Sequence, residues 1–209
     1  MSDLLFVDYL LMQPQSKYFV KVDMDFLSKN GEYAHKSYKY LNFEESYSAL
    51  FKKKRETTNI STDILSQSYI VYGLIHAKYL MTESGQAQMI AKFQKHEFPP
   101  CPRVLCNHFT CFPYGSSAII GEQPMKLFCP NCTDIYLITN NDNLGIDGAF
   151  FGPFWIHTLM HHHPEIVSSQ PPEVYVPRIY GFRIYNPNVK NVNSKPVTSS
   201  ASSPSKLPQ

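Results

Sequence analysis

Apolar positions fall at helical spacing through the first hundred residues and in short, strand-like runs after them. Ile64, Leu65, Ser68, Val71, Tyr72, Ile75 and Tyr79 advance in steps of three and four, which predicts one long helix capped by Ser61, Thr62 or Asp63. A further helix from about Gly85 to Lys95 carries Ala87, Ile90 and Phe93, and Pro99-Pro100 closes the helical half. Upstream, Pro14 breaks a Leu/Phe-rich opening and Tyr18–Val22 reads as a short extended segment. Asp23 then caps a brief helix ending at Asn30-Gly31, and a longer helix is expected from about Tyr33 to Phe51. From Cys101 the texture changes. Short runs such as Met125–Phe128 and Ile135–Thr139 sit among Pro, Gly and Asn and predict strands. One more helix is expected from Phe154 to His163, closed by Pro164, and then an apolar segment, Val174–Tyr185, with Gly181 as its turn. Residues 186–209 are Ser, Pro, Asn and Lys with little to bury, and disorder is expected there.

Composition narrows the class. The chain has 209 residues, 43% of them apolar, enough for one ordinary core or two small ones. Charged residues make up 17%, so neither a coiled coil nor a wholly disordered chain is expected. No stretch approaches the roughly 18 uncharged apolar residues of a membrane span. The opening carries Asp3 and Asp8 without Lys or Arg, the reverse of a secretory signal, so an intracellular location is expected. Net charge is only +2 and unevenly spread. Lys52, Lys53, Lys54 and Arg55 form one block, read as a solvated loop or a basic handle for an acidic partner or nuclear import. The rest is near neutral apart from Lys190, Lys195 and Lys206, so general nucleic-acid affinity is not expected.

The candidate chemistry lies in the cysteines. Four residues separate Cys101 from Cys106 and two separate Cys129 from Cys132, with 22 between the pairs. In a reducing compartment such paired loops supply four thiolates for a structural zinc, one ion per chain. Strands leaving the two loops make a zinc ribbon. A four-cysteine site is coordinatively closed, so it builds structure and offers no position to a substrate. Cys111, left over, reads as a small buried thiol. The ribbon is near neutral, with Arg103 and Lys126 against Glu122 and Asp134, which suits protein contact. Val104, Leu105, Phe109 and Phe112 are candidates for that surface.

His157, His161, His162 and His163 present helical four-residue pairs with only Glu165 nearby, and the helix C-terminal dipole accounts for them without a metal. His76, inside the apolar helix, reads as a satisfied core histidine. No phosphate-cradling Gly loop, kinase catalytic loop or Ser elbow occurs, so no active site is expected.

Five motifs in order carry a resemblance: Tyr72–Tyr79, Cys101–Val104, Cys129–Cys132, Asp147–Gly152 and Val176–Phe182. Together they resemble the regulatory (beta) subunit family of casein kinase II, over roughly residues 18–185. The resemblance implies a non-catalytic subunit that dimerises through its zinc ribbon and binds two catalytic alpha subunits, stabilising them and modulating activity and substrate choice. It implies Cys101, Cys106, Cys129 and Cys132 as zinc ligands, Pro102 and Val104 at the dimer contact, and Tyr180 and Phe182 as the aromatic pair entering the catalytic subunit. Ile179, Gly181, Arg183 and Ile184 belong to the same contact. Two departures stand out. Met1–Leu4 is a poor version of the family's autophosphorylated start, and Lys52–Arg55 replaces its acidic loop, so neither autophosphorylation nor a polyamine response is carried over.

The expected fold is α+β. A mainly helical region (1–98) precedes a zinc-ribbon dimerisation region with its following helix (99–164), a segment binding the catalytic subunit (165–185) and a disordered tail (186–209). Expected partners are a second copy, the catalytic subunits, and protein substrates and regulators, without membrane or nucleic acid, in cytoplasm and nucleus. The competing reading is a zinc-ribbon adaptor or nucleic-acid-associated module that no longer pairs with the kinase.

Overall fold

The computed structural model describes residues 4–37, 42–57, 60–138, 145–167 and 172–184. The polar tail 186–209, Tyr185 and Thr139 lie outside these, as do positions 38–41 of the helix expected over Tyr33–Phe51. The chain divides into two units, residues 1–173 and 174–209. The architecture is α+β. In the first unit helices α1 (Phe6–Leu11), α2 (Met24–Lys29), α3 (Gly31–Ser37), α4 (Phe43–Ala49), α5 (Thr62–Tyr79) and α6 (Glu83–Gln94) precede a small sheet, and α7 (Trp155–His162) follows it.

Helix α5 is the axis. Of the three candidate caps, Ser61 serves: its hydroxyl accepts the Ile64 N–H at 3.4 Å. Its periodic positions Val71, Tyr72, Ile75 and Tyr79 are buried, and so are Gly73, Leu74 and His76 between them, because neighbours cover it from several sides. Gly73 is required by space. A Cβ there would overlap the Phe150 ring, which the helical turn Gly148–Phe150 lays on α5.

The chain turns at Lys17 and Tyr18, and Phe19–Val22 then joins no sheet; side chains take the place of a partner strand. The Val22 N–H donates to the Tyr72 hydroxyl at 2.9 Å, and that hydroxyl donates to the Val20 carbonyl at 2.9 Å. The Val20 N–H donates to His76 Nε2 at 3.1 Å. From α6, Lys92 Nζ donates to the carbonyls of Lys17 and Phe19, and Gln88 to that of Lys21. Phe19 lies on the His76 ring at 4.6 Å and on Tyr69 at 5.5 Å.

Two expectations change. The long helix over Tyr33–Phe51 is broken, since Asn42 leaves helical geometry (φ −118°, ψ 32°) between α3 and α4. Tyr47 of α4 lies over Gly31, and its hydroxyl lies 3.0 and 2.9 Å from the carbonyls of Leu27 and Ser28 at the end of α2. The basic block is not a free loop either. Lys53 pairs antiparallel with Leu5, the Phe6 N–H donates to Lys52 O at 2.8 Å, and the Lys54 N–H donates to Leu4 O at 2.8 Å. Lys54–Thr57 then forms a 3₁₀ turn.

After α6, strands β1 (Phe112–Tyr114), β2 (Lys126–Phe128) and β3 (Ile135–Leu137) form an antiparallel sheet in that order. Its register pairs Phe112 with Phe128 and Phe128 with Ile135. β1 escaped the sequence reading because Pro113 sits inside it, which an edge strand tolerates. The core crosses from the helices into this region. Phe93 of α6 stacks on Phe112 at 4.4 Å, and Phe112 meets Trp155 of α7 edge-on at 5.5 Å. Phe112 is therefore interior, not part of the contact surface expected for it.

His76 couples this fold to pH. Its Nδ1 lies 2.8 Å from Phe150 O while Nε2 accepts from Val20, so the neutral imidazole protonated at Nδ1 satisfies both bonds. Burial, outweighing the Phe150 carbonyl, pushes its pKa from 6.5 down to about 4. Above pH 6.5 neither folded nor unfolded chain binds this proton, and nothing is lost. As pH falls from 6.5 through 4 the unfolded chain takes a proton that the folded chain refuses, so stability falls, by about 3 kcal/mol once below both values. Denaturant midpoints measured between pH 7 and 4.5 should therefore drop more steeply for the native chain than for His76→Gln. Parallel pH profiles would contradict this account.

Candidate metal centre and exposed surfaces

Two backbone loops bring the four cysteines together. In the first, the Cys101 N–H donates to Phe109 O at 2.7 Å, and a 3₁₀ turn over Val104–Cys106 ends in Asn107 and His108, both at positive φ (52° and 53°). In the second, the Cys129 N–H donates to Asp134 O at 3.0 Å and the Thr133 N–H returns to Cys129 O at 2.8 Å, with Thr133 at φ 57°. These sharp reversals fold each pair so that both sulfurs face one point. Arg103 of one loop lies 3.7 Å from Asp134 of the other.

The sulfurs of Cys101 and Cys132 are 3.8 Å apart, those of Cys106 and Cys129 3.6 Å, and all four lie within 4.8 Å of one another. A tetrahedron with Zn–S bonds of about 2.3 Å has edges of about 3.8 Å, so the cluster is positioned to bind a metal ion and fits zinc. The surroundings suit thiolates. Asn131 donates to Cys106 Sγ at 3.2 Å and the Tyr136 hydroxyl lies 3.1 Å from Cys132 Sγ. Burial alone works against ionisation, pushing the Cys101 thiol up to about 12 and Cys106 up as well. Cys129 is raised by the neighbouring Cys111 thiol and then by burial. At Cys132 burial is outweighed by bonds from Tyr136 and the Asp134 backbone, which hold the thiol below its usual value. A bound divalent cation would supply the charge that burial withholds, and the ion would be held by these four sulfurs with no position left open. Cys111 is buried beside the cluster, its thiol directed at Phe109 O at 3.8 Å, and it is not among the four.

The histidines do not join a second cluster. His157 and His161 lie on the exposed side of α7, His162 meets Gln86 at 3.3 Å, and His163 meets Glu165 at 3.0 Å. Among the described residues the four cysteines alone form a group of three or more metal-ligating side chains.

Pro102 and Val104 are exposed on the ribbon, Val104 to 87%, whereas Leu105 and Phe109 are half-buried. The sequence reading missed two further apolar residues there, Ile135 and Leu137, exposed along β3. The period-two alternation around Tyr136 was a signal for them, but only the packing around the sheet shows that their side is uncovered.

The second unit holds a hairpin. β4 (Arg178–Ile179) pairs with β5 (Phe182–Arg183), Ile179 opposite Phe182. The two turn residues, Tyr180 and Gly181, both take positive φ (48° and 86°), the form that matches the twist of a two-residue hairpin. Arg178 donates to Gly181 O at 3.1 Å and the Ile184 N–H to Pro177 O at 3.0 Å. Tyr180 is 97% exposed and Phe182 79%, with Ile179 exposed beside them. Among the described residues no helix is long and apolar enough to cross a membrane.

The sequence profile of the casein kinase II regulatory subunit family matches residues 5–183. The casein kinase II subunit beta of Schizosaccharomyces pombe is 32% identical over 174 residues, covering 82% of this chain and 75% of that one. The subunit beta of Dictyostelium discoideum is 39% identical over 129 residues, 62% of this chain and 46% of its own. The subunit beta' of Saccharomyces cerevisiae is 39% identical over 113 residues, 54% and 44% respectively. The chain thus spans three quarters of the first relative and under half of the other two.

Native mass spectrometry should find one zinc per chain, and Cys129→Ala should bind none. Because metal binding and folding are coupled in such sites, amide exchange over 101–137 should accelerate in that variant while α5 keeps its protection. A metal-free Cys129→Ala chain with unchanged protection over 101–137 would overturn the assignment.

Proposed function

Because the chain belongs to the casein kinase II regulatory subunit family, we propose that it pairs with the kinase's catalytic alpha subunits and steers their activity and choice of protein substrate. It is a regulatory, non-catalytic subunit. The observation that carries the pairing is the hairpin, which displays Tyr180 and Phe182 at 97% and 79% exposure. A two-stranded hairpin is marginal in water by itself, so a partner that buries its aromatics stabilises it while binding it. Aromatic anchors of this kind carry much of an interface's energy. Ile179, Gly181, Arg183 and Ile184 complete the contact.

Zinc, one ion per chain, holds the ribbon, and the ribbon pairs two copies. Pro102 and Val104 supply the exposed apolar contact, and Ile135 and Leu137 lie on the same small domain. Two catalytic subunits joined by this dimer make a tetramer, working in cytoplasm and nucleus. The ribbon's near-neutral charge favours protein contact over the nucleic-acid-associated reading.

Calorimetric titration of the zinc-loaded chain with a catalytic alpha subunit tests the pairing. Tyr180→Ala and Phe182→Ala should each cost about 2 kcal/mol, roughly 30-fold in affinity. The double variant should keep its metal, its fold and its oligomeric state. Undiminished affinity in the double variant would move the contact elsewhere, and failure of the native chain to bind would favour the adaptor reading.

A further inference from the structure

Neither the metal centre nor the hairpin uses Lys52–Arg55 or the cleft beside it. The backbone of this block is held by its bonds to residues 4–6, so its cations stand on an ordered turn. Lys54 Nζ lies 4.1 Å over the Tyr9 ring and 5.8 Å from the centre of Phe6. Both rings line a cleft of about 590 Å³, whose walls also include Leu10, Leu65, Tyr69 and Phe150. The cleft is therefore aromatic and aliphatic along its walls and cationic where Lys54 meets Tyr9. Its acid, Asp147, is already engaged, accepting the N–H groups of Gly121 at 2.6 Å and Ala149 at 2.9 Å. Asp8 pairs with Lys21 at 2.6 Å, and Glu56 lies 4.0 Å from Arg55.

We propose that this surface docks an acidic peptide segment of a partner protein, one carrying an aromatic or large aliphatic residue among its carboxylates. The carboxylates face Lys52–Arg55 and the apolar side chain enters the cleft. Charge complementarity selects the acidic segment, and the apolar walls select its anchor. A nucleic-acid strand fits less well: the cations form one short turn instead of a track along a backbone. The chain's own tail is not the occupant, since residues 186–209 carry lysines and no acid.

Fluorescence anisotropy with the full chain tests this, using a labelled nonapeptide of Asp and Glu around a central Phe. Replacing that Phe by Ala in the peptide should weaken binding about tenfold, the scale of one buried aromatic. The chain variant K52Q/K53Q/K54Q/R55Q should bind at least about tenfold more weakly, and added salt should weaken the native chain likewise. Ser66→Trp, at an exposed position of α5 lining the cleft, should abolish the preference for Phe over Ala while leaving the charge-dependent part. Should the quadruple variant misfold, Lys52→Gln alone, at an exposed position, must still weaken binding measurably. Unchanged affinity in folded charge variants overturns the proposal. So does equal binding of the Phe and Ala peptides, or tighter binding of a single-stranded oligonucleotide through the same lysines.

Discussion

The helical region depends on how one stretch of backbone without a strand partner is satisfied. Tyr18, Phe19, Val20 and Val22 are buried in the core, where each unpaired N–H or C=O would be costly. Tyr72, His76, Lys92 and Gln88 meet these groups from two helices, and His76 reaches on to Phe150. One imidazole thus fixes the relative positions of the N-terminal segment, α5 and the turn at Gly148–Phe150. That turn presses on Gly73, and Phe112 and Trp155 continue the same core toward the sheet. The arrangement uses a neutral histidine because both ring nitrogens are engaged in a site closed to water.

The metal centre works by a different economy. Its strands are three residues each, too short to hold two loops in register without help. One face of the sheet leans on the helical core through Phe112 and Phe128. The cysteine loops have their own small cluster around Leu127, and the four sulfurs meet there. A metal ion fits at that point because it supplies charge and directional bonds where apolar area is scarce. Part of the ribbon surface stays free, and Pro102, Val104, Ile135 and Leu137 are exposed there.

The chain is thus organised around surfaces. Regulation by a subunit of this family needs presentation, and three features present something: the apolar ribbon edge, the aromatic hairpin and the cationic turn beside its cleft. The ribbon and the cationic turn are displayed from backbone bonded to the rest of the first unit, so little order must be gained there on contact, whereas the hairpin gains order from its partner. That is the physical difference between Lys52–Arg55 as a charged run and as a surface.

The residue pattern alone determined the broad outline. The α5 periodicity, the cysteine pairs and the switch from helical to strand spacing at Cys101 follow from local rules of period, capping and ligand spacing. The motif order pointed to the family. What those rules could not supply was anything depending on a distant neighbour. The break at Asn42 follows from Tyr47 reaching back to the end of α2. β1 escapes a single-strand reading because only its edge position excuses Pro113. Phe112 reads as surface until α6 and α7 are seen to enclose it. The partner of Tyr18–Val22 is not a strand at all, but side chains more than fifty residues away in sequence. Those contacts are set by packing in three dimensions, which local sequence signals do not encode.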